Sequence, residues 1–225
     1  MANLVNYYIQ FIKRDLQLAV RQKHEFVLPL LFFVLILILF PVTVGPESGL
    51  LARLAPAVGW INLILSLLIA LPRMFSEDYE NGWLEQVFLA AVSPSFFILT
   101  RILSFWLLYC LPLVICSVLL VPFMSLPFDI WWVLAQTLFL GSLLVAALGS
   151  VASALLVASR KGSGVLALLL LPMLIPALIF GSAVIEAAQQ SLPYLSPMLL
   201  LAALAVFCLT IAPVAAAQAI KINLG

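Results

Sequence analysis

Charge is what this sequence has least of. Only 8% of its 225 residues are charged, 66% are hydrophobic, and the mean hydropathy is +1.27. A water-soluble domain carries roughly 25% charged residues, because its surface faces water whatever its core holds. Lipid is the solvent that permits so little charge. The formal net charge of +1 says little about partners, and no nucleic acid is expected among them.

Histidine and cysteine are also scarce. His24 is the single histidine, next to the first apolar run, and reads as an interfacial residue rather than a haem ligand. Cys110, Cys116 and Cys208 all lie inside apolar runs. Their spacing fits no metal or redox motif, and they read as small buried apolar residues. No bound metal or cofactor is expected. The P-loop pattern G-x-x-x-x-G-K-[ST] is missing; the nearest stretch, SRKGSG at 159–164, has the wrong order and reads as a tight basic loop. No carboxylate falls deep in an apolar run, since Asp129 and Glu186 stand at run ends. A proton-coupled pump normally carries an intramembrane ionisable group, so a self-powered transporter is disfavoured. With no nucleophile–base pair to argue for, the chain is not expected to be an enzyme.

The few charges cut the chain into blocks. Six runs lack any charge: Glu25 to Glu47, Arg53 to Arg73, Arg101 to Asp129, Asp129 to Arg160, Lys161 to Glu186, and Glu186 to Lys221. A helix needs about 20 apolar residues to cross the hydrocarbon core. An open sheet would leave backbone groups unpaired in lipid. The expectation is an all-α, polytopic protein with six spans, at about 26–45, 54–72, 98–122, 130–157, 164–186 and 195–219.

Alternating the loops between two sides puts nine cations together: Lys13, Arg14, Arg21, Lys23, Arg73, Arg101, Arg160, Lys161 and Lys221. Only Arg53 falls on the other side. Such bias marks the cytoplasmic side, so both termini are expected there. The start is not read as a cleaved signal peptide, because its charged stretch is long and includes Asp15 and Glu25.

Three local patterns add detail. Residues 3–23 alternate polar and apolar positions at helical steps and predict an interfacial helix over about 1–24, lying flat before the first span. Residues 73–94 hold Glu77, Asp78, Glu80 and Glu85, with Phe75, Tyr79, Trp83 and Val87 at four-residue spacing. Asn81-Gly82 interrupts them, which predicts two short helices around a turn. Acids beside an anionic inner leaflet make sense if this loop meets a partner protein. The fourth run is rich in small residues, among them Gly141, Ser142, Ala146, Ala147, Gly149, Ser150, Ser153 and Ala154. They predict close helix packing, within a bundle or between subunits. Pro172 and Pro176, one turn apart in the fifth run, predict a bend. A span bundle with an acidic cytoplasmic loop and no engine of its own reads as a permease, powered by a separate ATPase.

Particular stretches carry a family resemblance. They are LFPVTVGPE from Leu39 to Glu47, LLAR from Leu50 to Arg53, Ala55-Pro56 with Trp60, the loop residues Phe75, Asp78, Gly82 and LEQ from Leu84 to Gln86, and GVLALLLLPMLIPALIFG from Gly164 to Gly181. Together they resemble the CcmB family, the membrane subunit of the ABC-type complex of cytochrome c maturation. The resemblance implies an ABC-2-like permease in the bacterial inner membrane, working with a CcmA-like ATPase, CcmC-like and CcmD-like membrane subunits and a CcmE-like periplasmic haem chaperone, and paired as a homodimer. It also implies that ATP hydrolysis by the partner is coupled to haem delivery or to release of the loaded chaperone. A non-translocating scaffold and a generic exporter of lipid or small molecules stay open beside it. The sequence departs from the family's usual pattern at Ala57 and Pro72.

In the ATPase-docking loop, Phe75, Trp83 and Leu84 are expected as apolar anchors, with Glu77, Asp78 and Glu85 meeting basic partner residues and Gly82 and Gln86 completing the segment. Pro41, Gly45, Pro46, Glu47, Pro56, Trp60, Pro172 and Pro176 are expected as structural or gating positions.

Overall fold

The computed structural model describes residues 23–45, 47–89, 93–158 and 163–224. The expected interfacial helix over 1–24 therefore falls almost wholly outside the described residues, as do Pro46 and the Arg160-Lys161 loop. Among the described residues there is no strand, and six helices are long and apolar enough to cross a membrane.

The elements are α1 (Lys23–Val44), α2 (Ser48–Ala70), the short pair α3 (Arg73–Glu80) and α4 (Trp83–Leu89), then a composite third span. That span runs through α5 (Pro94–Phe105), a π-turn (Trp106–Cys110), α6 (Leu111–Cys116), a 3-10 turn (Ser117–Leu119) and α7 (Leu120–Met124). The long helices α8 (Phe128–Leu155), α9 (Ser163–Gln189) and α10 (Leu195–Leu224) complete the bundle. The spans agree with the charge-free runs within a few residues. The largest difference is α2, which begins at Ser48 and so takes Arg53 into the helix. A cation near a helix end can keep its head in the interface while its stem lies along apolar surface.

Proline accounts for the break in the third span. Pro112 has no N–H for the carbonyl one turn back. The ladder widens just before it, and the Leu111 N–H reaches back five residues to the Trp106 carbonyl. By contrast, α9 runs unbroken from Ser163 to Gln189 through Pro172 and Pro176, both exposed on its surface.

The inner helices are α2 and α8, with 72% and 67% of their apolar stretches buried, against 17% for α1 and 22% for the last span. All eight small residues singled out on α8 are buried. They let α8 lie along α10, its most extensive partner, and against α9 and α2. Lipid tails are as apolar as leucine, so contact and hydrogen bonding rather than water exclusion hold such helices together.

Indole and serine groups supply several of those bonds. Trp106 Nε1 donates to Ser142 Oγ at 2.9 Å, and Trp131 Nε1 to Ser117 Oγ at 3.2 Å. Asn62 Nδ2 donates to the Phe33 carbonyl at 2.8 Å, joining α2 to α1, while Asn62 Oδ1 has no partner among the described residues. Interhelical bonds in a membrane average about 0.6 kcal/mol, and loss of this one is offset by removal of a buried orphan acceptor. Asn62→Leu is therefore expected to change stability by no more than about 1 kcal/mol, read as the midpoint of detergent unfolding. A much larger loss would give this amide a role beyond packing.

Candidate functional site

The α3–α4 pair is built by its turn. Asn81 caps α3, its N–H reaching the Glu77 carbonyl at 3.0 Å, and the Gly82 N–H reaches the Tyr79 carbonyl at 3.1 Å. Gly82 sits at φ +69°, the left-handed region where glycine is at ease and a side chain is strained. The two short helices thus fold around the dipeptide that interrupts the pattern.

The pair is amphipathic, and the chain itself covers much of its apolar face. Phe75 and Leu84 are fully enclosed, with Met74 and Val87 buried beside them. Phe75 and Leu84, expected as anchors for a partner, are in this conformation seated in the chain's own bundle. Trp83 is half-buried, as is Glu77, while Glu80, Glu85 and Gln86 are exposed. The outward face is therefore acidic with one indole at its edge.

Asp78 also turns inward. The Arg101 guanidinium from α5 spans α3, with Nη2 3.1 Å from Asp78 Oδ2 and Nε donating to the Met74 carbonyl at 3.0 Å. The two side chains are 15% and 10% exposed, so the pair is largely out of water. A planar guanidinium can hold a carboxylate and a carbonyl together in this way. Where the second span hands over to α3, Ser153 Oγ of α8 donates to the Leu71 carbonyl at 2.7 Å. Close by, Gly149 leaves the space that Leu71 fills; a Cβ there would lie 2.4 Å from Leu71 Cδ2. So α3 is tied to α5 by an ion pair and its entry is tied to α8 by a hydroxyl.

The other singled-out residues lie elsewhere. Trp60, buried in α2 one turn beyond the buried Pro56, is clamped between glycines. A Cβ on Gly141 of α8 would lie 2.1 Å from its Cη2, and one on Gly181 of α9 would lie 2.4 Å from its Cζ2. Pro41 is half-buried near the end of α1, and Gly45 follows at φ +100° with its N–H on the Pro41 carbonyl at 3.0 Å. Glu47 is exposed at the start of α2. The candidates thus form an acidic helix pair at one end, a clamp in the middle and a turn at the other end, not a single site. No group of three or more potential metal ligands occurs among the described residues.

Sequence reasoning left Arg101 as a boundary cation and Gly181 unpaired. Their partners are 23 and 121 residues away, Asp78 and Trp60, and no periodicity links positions so far apart.

The family model described as CcmB protein matches residues 6–223. The heme exporter protein B of Haemophilus influenzae is 40% identical over 217 residues, covering 96% of this chain and 98% of that protein. The protein of the same name from Pseudomonas aeruginosa is 38% identical over 220 residues, covering 98% and 99%. That of Escherichia coli K12 is 36% identical over 215 residues, covering 96% and 98%. The chain belongs to the CcmB family. Membership extends over both the α3–α4 pair and the Trp60 clamp, so each lies within the part of the chain shared with these relatives.

Proposed function

We propose that this CcmB-family chain is the membrane permease subunit of an ABC-type haem export complex serving cytochrome c maturation, and that α3–α4 is where its ATPase docks. Whole-length similarity to proteins named heme exporter protein B supports the first part. The observation that carries the second is the helix pair itself: acidic and exposed on one face, wired into three spans on the other. In this reading residues 1–225 are one permease domain in the bacterial inner membrane, with both termini cytoplasmic. Residues 73–94 are its coupling loop. A homodimer would supply two membrane halves, with CcmC-like, CcmD-like and CcmE-like partners handling haem.

The chain's part in coupling is mechanical. Glu77, Glu80, Glu85 and Gln86, with the edge of Trp83, meet a basic groove on the ATPase. Closure of the ATPase pushes α3; Arg101 passes the displacement to α5, and the Leu71–Ser153 bond passes it to α8. Glu80→Lys with Glu85→Lys reverses two exposed charges without touching the buried side. Co-purifying ATPase should fall at least tenfold, an affinity loss of about 1.4 kcal/mol, with ATP-dependent release of haem-loaded chaperone falling in step. Full retention of both at normal membrane levels refutes docking through this face.

The Trp60 clamp favours a second reading, a scaffold that holds the complex together and moves nothing, because the indole closes the space between α2, α8 and α9. ATP-dependent entry of haem into proteoliposomes bearing the whole complex separates the two.

A further inference from the structure

At the end of the bundle away from α3–α4, a cleft of about 480 Å³ lies between α2 and α9. Ile61 and Ile179 are among its apolar walls, and both are more than half exposed. Its mouth carries one charge of each sign. Arg53 stands five residues into α2, and Glu186 three residues before the end of α9. Both are exposed, and no ion pair joins them among the described residues. Glu186 accepts a 3.4 Å bond from Gln190 Nε2. Trp60 also lines the cleft, and its buried indole N–H has no acceptor among the described residues. It faces α9 beside Gly181, whose Cβ would lie 3.1 Å from Nε1.

An apolar groove at membrane depth, with a cation and an anion at its rim that do not pair with each other, is complementary to a zwitterionic amphiphile. We propose that the cleft holds one phospholipid whose headgroup carries a phosphate and a primary ammonium. Arg53 takes the phosphate, since a guanidinium binds it through two parallel N–H donors. Glu186 takes the ammonium. One acyl chain lies along Ile61 and Ile179, and an ester oxygen is the acceptor such a lipid offers to Trp60. Glu186 repels a purely anionic lipid, Arg53 a cationic one, and a quaternary amine gives Glu186 no N–H. The apolar walls favour a lipid over a soluble zwitterion.

Native mass spectrometry of the full chain in detergent, titrated with phosphatidylethanolamine, phosphatidylglycerol and phosphatidylcholine of matched chains, tests this without reference to haem. The intact protein is expected to bind one phosphatidylethanolamine at least fivefold more tightly than either other lipid. Glu186→Gln should erase that preference, Arg53→Gln should weaken all three lipids, and Ile179→Trp, which fills the groove without changing charge, should reduce occupancy. Free phosphoethanolamine should not displace the lipid. Equal binding of the three lipids by the intact protein, a preference that survives Glu186→Gln, or displacement by free phosphoethanolamine would each overturn the assignment.

Discussion

Gly141→Ala is expected to destabilise the bundle by about 2 kcal/mol or more, although alanine is the better helix former. Propensity alone favours the substitution by about 1 kcal/mol. The contact reverses the sign. The new Cβ would lie 2.1 Å from Trp60 Cη2 and 2.5 Å from Cζ3, distances that no carbon pair sustains. Gly181 of α9 leaves room for the same ring, since a Cβ there would lie 2.4 Å from Cζ2 and 2.7 Å from Cε2. Trp60 is 3% exposed, so the indole can shift only together with the helices packed around it. Gly181→Ala should behave alike. The decisive measurement is a double-mutant cycle on the unfolding midpoint. Trp60→Leu empties the space the Cβ needs, so Gly141→Ala on that background should cost far less, with a coupling energy of about 1–3 kcal/mol. A Gly141→Ala protein that melts like its parent, or strictly additive effects, would show that the clamp is looser than its geometry.

The clamp also shows where the sequence stops being informative. Six helices follow from the spacing of nineteen charges, because the hydrocarbon thickness sets one length scale that any span has to meet. The reversal at Asn81-Gly82 is equally local, a left-handed glycine after a capping asparagine. Which helix faces which is not local. Gly141 is readable as a small packing residue and Trp60 as a structural position, yet their meeting needs the third dimension. The same holds for Phe75 and Val87. A four-residue apolar stripe shows that something covers it, and nothing in the stripe distinguishes a partner from the chain's own spans. Asp78 reads as one acid among four in its loop until Arg101 is brought beside it. The π-turn at Trp106–Cys110 belongs here too: Pro112 lies just beyond it, and the turn packs against α8.

The Asp78–Arg101 pair carries the other large effect. Arg101→Met leaves a carboxylate with a 10% exposed side chain without its guanidinium, and the Met74 carbonyl without this donor. Removing one partner of a buried pair costs about 3–5 kcal/mol, because the remaining charge has been stripped of water. Here the loss falls first on α3, which Arg101 ties to α5. The expected result is faster proteolysis around Asn81-Gly82 and a lower melting point. Arg101→Lys should fall between, since one ammonium cannot reproduce the guanidinium's planar fork across two acceptors. Replacing both partners, as in Arg101→Met with Asp78→Leu, removes the stranded charge and should recover most of the stability. It does not restore a directional tie between α3 and α5. If force passes through this pair, the double variant is expected to fold, keep its ATPase and hydrolyse ATP while release of the haem-loaded chaperone stays at least tenfold down. If the double variant instead regains full coupled activity, the ion pair serves folding alone and the push from the ATPase enters the spans through Leu71 and Ser153.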